Sequence, residues 1–126
     1  MGAAIRILLV EDNDVYRASL ELLLGMQEGL QVVGEVSDGA AAATACATLQ
    51  ADVVLMDFRL PGLDGPAATE AVRAACPNVA VLGLTAEATD EEADAMTAAG
   101  AVEIVRKGDP VDELVRAIRR VTDSRP

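Results

Sequence analysis

The sequence predicts a doubly wound α/β domain: a flavodoxin-like (βα)5 chain whose five-stranded parallel sheet runs in the order 2-1-3-4-5. Three observations predict it. Five short apolar runs alternate with five segments of helical length. Two of the runs, ILLV and VVLM, are continuous rather than alternating, as central parallel strands covered on both faces require. The 126 residues suit a single domain, 1–126, and five βα units at this length fit that strand order with right-handed crossovers.

The elements follow in order. The first strand is expected at 5–10 and the first helix at 14–27, with Val15, Ser19, Leu22, Leu23 and Met26 on its inward face. The second strand is expected at 31–36 and its helix at 39–49. The third strand, at 52–57, leads to a helix at 65–76 that opens on Asp64-Gly65-Pro66, an acidic cap followed by a proline in the first turn. The fourth strand, at 79–85, precedes a helix at 87–99 that Gly100 stops. That helix is acidic at its start and offers little beyond Ala93, Met96 and Ala99 for packing, so low local stability is expected of it. The fifth strand is expected at 101–105. The last helix, at 110–122, opens on Asp109-Pro110, with Val111, Leu114, Val115, Ile118 and Val121 on one face and Arg116, Arg119 and Arg120 outside it. The polar residues from about 122 to 126 read as the start of a linker.

Composition narrows the function. An apolar fraction of 52% supports a packed core, built from aliphatic side chains because aromatics make up only 2%. The chain has no histidine, which excludes Ser-His-Asp and Cys-His catalysis, a His-ligated zinc and a phosphohistidine carrier. A net charge of −11 argues against direct contact with nucleic acid or an anionic membrane. No apolar run approaches the roughly 18 residues of a spanning helix, and the N-terminus lacks a signal-peptide pattern. Cys46 and Cys76 have no metal-type spacing and read as buried free thiols of a cytoplasmic protein.

In such a sheet, ligands bind beyond the carboxyl ends of the strands. The predicted strands deliver Glu11 and Asp12, Asp57, Thr85, and Arg106 with Lys107 to that edge. Three converging carboxylates repel one another, and a hard divalent cation such as Mg²⁺ removes the conflict. Mg²⁺ with Lys107 would attract a phosphoryl group, and Thr85 could donate a hydrogen bond to it. Asp57, on the central strand, is best placed to meet metal and phosphorus together. The chemistry inferred is phosphoryl transfer onto Asp57. No GxxxxGK[ST] or GxGxxG follows a strand, and the acidic first loop would repel a flavin phosphate.

The segments ILLVEDND (7–14), DVVLMDFRLPGLDG (52–65), LTAE (84–87) and GAVEIVRKGDP (100–110) together resemble the response-regulator receiver domain of bacterial two-component systems. VVGEVSDG (32–39) and DELVRAIRRV (112–121) look most like the NarL/LuxR-type subfamily, which carries a helix-turn-helix after the receiver. The resemblance implies that Asp57 is the phospho-acceptor and that Asp12 binds Mg²⁺ directly, with Glu11 assisting through water. It implies that the backbone carbonyl of Arg59 completes the metal shell, that Lys107 pairs with the phosphoryl group, and that Thr85 is the switch hydroxyl. A sensor histidine kinase or phosphotransfer protein would be the donor. A phosphorylation-dependent homodimer and transcription output through a DNA-binding domain are further expectations. Such a domain promotes its own phosphorylation and dephosphorylation without being a conventional enzyme. Arg59 and Glu87, two residues beyond Asp57 and Thr85, are expected to tune dephosphorylation.

The chain departs from the family pattern in two places. Ile104 stands where an aromatic is usual, with Glu103 in place of a frequent glycine. Gly108 follows the lysine where proline is frequent, so a trans bond or an altered loop is expected there. Two alternative readings are a standalone receiver and an interaction module that signals without phosphate. A small Mg²⁺-dependent phosphatase shares the chemistry, but Arg59 occupies the place of its general acid.

Overall fold

The computed structural model describes residues 3–87 and 89–123. Its elements are β1 (Ile5–Val10), α1 (Asp14–Gly25), β2 (Leu30–Val36), α2 (Ala42–Leu49) after a 3-10 turn at Gly39–Ala41, β3 (Val53–Asp57), α3 (Gly65–Ala75), β4 (Ala80–Thr85), α4 (Asp90–Ala99), β5 (Glu103–Arg106) and α5 (Val111–Asp123). All strand pairs are parallel and the order is β2-β1-β3-β4-β5, as predicted. Residues 124–126 of the expected linker lie outside the described residues, while Thr122 and Asp123 belong to α5.

Alternation along the strands splits the core into two layers. Ile7, Leu9, Val53, Leu55, Leu82 and Leu84 face α1 and α5, and they pack on Leu20, Leu24, Leu114 and Ile118. Leu8, Val10, Val54, Met56 and Val81 face the other way, onto Cys46, Ala68, Val72 and Met96. The apolar runs are continuous because both faces are covered. Every residue of β3 and β4 is buried.

Local chemistry sets the element ends. Asp64 caps α3, its carboxylate accepting from the Ala67 amide at 3.0 Å, with Pro66 in the first turn. Thr89 caps α4 by accepting from the Glu92 amide, so the helix starts at Asp90 and not at 87. Gly100 ends it at φ 119°, a left-handed geometry that favours glycine. The Ala101 amide then closes back on the Met96 carbonyl and the Val102 amide on Val81, so β5 begins at 103, two residues later than expected.

The inward face expected for α1 is corrected. Leu20 and Leu24 are buried, with Tyr16 packed on the same layer. Val15, Leu22 and Met26 are 78%, 67% and 73% exposed, and Ser19 and Leu23 are also exposed. The helix carries two apolar stripes, and its entry fixes which one faces the sheet. Asn13 caps it by accepting from the Tyr16 amide, and the Arg17 guanidinium donates to the Glu11 carbonyl at 2.7 Å. Cys46 is buried as expected, but Cys76, at the end of α3, is only half-buried.

Candidate functional site

Strand register assembles the site. Val10 lies opposite Met56, so Glu11 comes alongside Asp57. Asp57 lies opposite Leu84, which places Thr85 one step beyond. Thr85 lies opposite Arg106, which places Lys107 one step further, its amide donating to the Thr85 carbonyl at 2.9 Å. Four strands therefore end together. Gly65 lets α3 begin directly behind Asp57, since a Cβ there would lie 2.4 Å from the Asp57 carbonyl oxygen.

Glu11, Asp12 and Asp57 each present a carboxylate oxygen, all within 4.8 Å of one another. Glu11 and Asp57 are buried while Asp12 is exposed. The Lys107 ammonium donates to Asp57 Oδ2 at 3.0 Å. It also pairs with Glu11 Oε1 at 2.7 Å, so one ammonium bridges the two buried carboxylates. The other Glu11 oxygen accepts from the Asn13 amide at 3.0 Å. Thr85 is fully buried and its hydroxyl has no partner among the described residues. A cavity of about 580 Å³ opens over the group, with Phe58, Arg59, Ala86, Glu87 and Glu92 on its walls.

The electrostatics follow from one cation among three acids. Burial pushes the Glu11 carboxyl above its ordinary value; Lys107 and the Asn13 amide pull it back, and Asp57 adds to the rise. Burial disfavours the Lys107 charge, yet its contacts with Glu11 and Asp57 outweigh this and hold its pKa above the ordinary value. Three hard oxygen donors within 4.8 Å of one another fit a small divalent cation. Glu11, Asp12 and Asp57 would hold it.

The structure brings the predicted Glu11, Asp12, Asp57 and Lys107 together, with Thr85 one register step beyond Asp57. Arg59 and Glu87 line the same cavity, and the Arg59 side chain pairs outward with Glu92 at 3.0 Å. Ile104 packs beside Met96 in the α2–α3–α4 layer, in space that Gly83 leaves open. Glu103 is held by Arg120 through two short bonds, at 2.6 and 2.7 Å. No cis peptide bond occurs among the described residues, consistent with a trans Lys107–Gly108 link. Sequence reasoning missed Tyr16, whose ring lies 5.0 Å from the Lys107 ammonium. It also missed Asn13 as a donor to Glu11. The signal for Tyr16 was its rarity, the one tyrosine of the chain placed four residues after Asp12.

The chain matches the response regulator receiver domain family over residues 7–119. It is 36% identical over 117 residues to response regulator GacA of Pseudomonas viridiflava, covering 93% of this chain and 55% of that protein. The chain thus spans about half the length of the curated relatives it matches. Its fold agrees with the signal receiver domain of response regulator NarL from Mycobacterium tuberculosis at a TM-score of 0.92, with 28% identity over 98% of this chain and all of that one. The receiver domain of sensor histidine kinase PA1611 from Pseudomonas aeruginosa PAO1 is 34% identical, with a TM-score of 0.83 over 97% of this chain and 100% of its own. That structure holds a magnesium ion coordinated in its active site cleft. The acidic edge, the strand order and these likenesses agree: the chain belongs to the response regulator receiver domains of two-component systems.

Proposed function

We propose that the chain accepts a phosphoryl group on Asp57, with Mg²⁺ held by Glu11, Asp12, Asp57 and the Arg59 carbonyl. The observation that carries the reading is the grouping of three carboxylates within 4.8 Å around an aspartate that Lys107 already touches. A bound Mg²⁺ supplies charge neutralisation for phosphoryl oxygens and acids alike. Asp57 is the nucleophile: its carboxylate oxygen forms a bond to phosphorus as the bond to the donor breaks, and the donor keeps the electron pair. Lys107 follows the growing negative charge from the carboxylate to the phosphoryl group. The unpartnered Thr85 hydroxyl donates to a phosphoryl oxygen and draws the loop between β4 and α4 toward Asp57. The domain thereby catalyses its own modification without turning over an external substrate. The donor is a sensor histidine kinase or a phosphotransfer protein, and the output is a changed protein surface, with transcription control through an adjoining DNA-binding domain.

Incubation with acetyl phosphate and Mg²⁺, followed by intact mass, tests this. The chain gains one phosphoryl group, the gain is lost with a chelator, and Asp57→Asn abolishes it. An unmodified Asp57 that also fails to bind beryllofluoride would leave a phosphate-independent interaction module instead.

A further inference from the structure

We infer that Tyr16 is a positioning residue for Lys107, its ring face holding the ammonium between Glu11 and Asp57 during phosphoryl transfer. The inference rests on the phosphoryl-accepting reading above.

Lys107 needs such a support. It follows the short edge strand β5, on a flexible four-carbon stem, and its neighbour Gly108 has nothing within 4 Å of where a Cβ would stand. Its contacts are Glu11 Oε1 at 2.7 Å, Asp57 Oδ2 at 3.0 Å and the Tyr16 ring at 5.0 Å. The two carboxylates belong to the set a divalent cation would claim. A cation bound there weakens their hold on the ammonium through both competition and repulsion. The ring is neutral, and its attraction comes from the negative π face, which the metal does not occupy. Tyr16 is therefore the contact best suited to keep Lys107 in place once the acids are engaged.

The ring itself is well held. Tyr16 is half-buried in the first turn of α1 and packs against the α1–α5 layer of the core. A small cavity of about 100 Å³ lies beside it, lined by Leu20, Leu23, Val105, Lys107 and Val111, so the ring has room to respond on that side. On the other layer β5 turns Ile104 toward Met96, and the Phe58 ring on the cavity wall faces the Arg59 guanidinium at 5.8 Å. The Tyr16 ring touches the lysine from the α1–α5 side of the sheet.

The chain has one tyrosine and no tryptophan, so tyrosine emission reports this position alone. The experiment follows emission of the intact chain on addition of Mg²⁺ and then beryllofluoride. In parallel, it measures the rate of phosphoryl uptake from acetyl phosphate at saturating Mg²⁺ for the wild type, Tyr16→Phe, Tyr16→Leu and Tyr16→Met. Wild-type emission changes when beryllofluoride binds. Tyr16→Leu and Tyr16→Met lose about two- to thirtyfold in the saturated rate, the span expected of a cation–π contact. Tyr16→Phe, which keeps the ring face, returns to within about twofold of wild type by the same reasoning. Thermal unfolding of each variant shows that the folded protein is being compared. A folded Tyr16→Leu with the wild-type rate, or a Tyr16→Phe as slow as Tyr16→Leu, overturns the inference while the function stands. Should both aliphatic variants unfold, wild-type emission that ignores beryllofluoride overturns it. A wild type that takes up neither phosphoryl nor beryllofluoride sinks the functional reading and this inference with it.

Discussion

The two ends of the sheet solve opposite problems. At the amino ends of the strands, cations are spent on closing the fold. The Arg6 guanidinium donates to the Leu49 carbonyl at 2.8 and 3.3 Å and to Gln50 at 3.2 Å, just where α2 stops in a left-handed turn. The Arg6 amide meets Asp52, and Arg73 ties the Pro77 and Val79 carbonyls ahead of β4. At the carboxyl ends, one lysine faces three acids, and the Thr85 hydroxyl is buried with no hydrogen-bond partner among the described residues. Buried polar groups cost stability unless paired. One edge is complete by itself, whereas the other leaves polar groups for a ligand to meet.

The largest effect expected from this contrast is on the closed edge. Arg6→Ala removes three hydrogen bonds from a cation at the C-terminus of α2 and leaves two carbonyls short of donors. Its cost is about 1–3 kcal/mol of unfolding free energy, read by urea denaturation. Mg²⁺ does not restore the loss, because the damage lies at the far end of the strands. Recovery of wild-type stability on adding Mg²⁺ would show that the two edges are not separate.

How much of this was legible depended on how many residues shared one requirement. The parallel sheet followed from five βα units in series, with VVLM and ILLV suited to its doubly covered centre, and 2-1-3-4-5 is the simplest order at this length. The acidic site followed because Glu11, Asp12, Asp57 and Lys107 each sit at a strand end, where fold class alone fixes direction. The face of α5 was readable because its apolar and arginine positions separate cleanly, and Leu114, Val115, Ile118 and Val121 are all buried. The face of α1 was not. Leucines run through Leu20, Leu22, Leu23 and Leu24, and periodicity cannot rank two stripes of similar strength. Asn13 and Arg17 choose between them through contacts made outside the helix. The Tyr16–Lys107 contact was hidden for a related reason: it joins residues 16 and 107 across two elements, and no local pattern encodes that pairing.

A smaller effect, of opposite sign, is expected on the open edge. Asp12 is exposed, and no ion pair reaches it among the described residues, while its carboxylate faces Glu11 and Asp57. Without metal, Asp12→Ala relieves a solvent-screened repulsion and raises stability by less than about 1 kcal/mol. With Mg²⁺ at ten times its dissociation constant, the wild type gains about 1.4 kcal/mol by mass action, and the variant gains little. Thermal unfolding with and without Mg²⁺ therefore reverses the order of the two proteins. A variant less stable than wild type in metal-free buffer would mean that the open edge holds no stored repulsion.

The smallest energetic effect concerns the two thiols on the closed edge, where reactivity is the finer measure. Cys46 and Cys76 share a hollow of about 390 Å³ where α2 and α3 end. Burial pushes the Cys46 thiol up to about 12, and the neighbouring Cys76 thiol adds to the rise, so almost no thiolate exists at Cys46 near pH 8. Cys76 is half-buried and faces the same hollow from the rim. A disulfide reagent such as DTNB at pH 8 titrates one thiol of the folded chain promptly and the second only as fast as the protein opens. Cys76→Ser removes the prompt phase and costs less than about 1 kcal/mol, since a half-exposed site tolerates a hydroxyl. Urea below the unfolding transition speeds the slow phase steeply if this edge opens only with the whole domain, and hardly at all if it opens locally. Prompt labelling of both thiols would instead show that α2 and α3 part locally, making the closed edge the looser of the two.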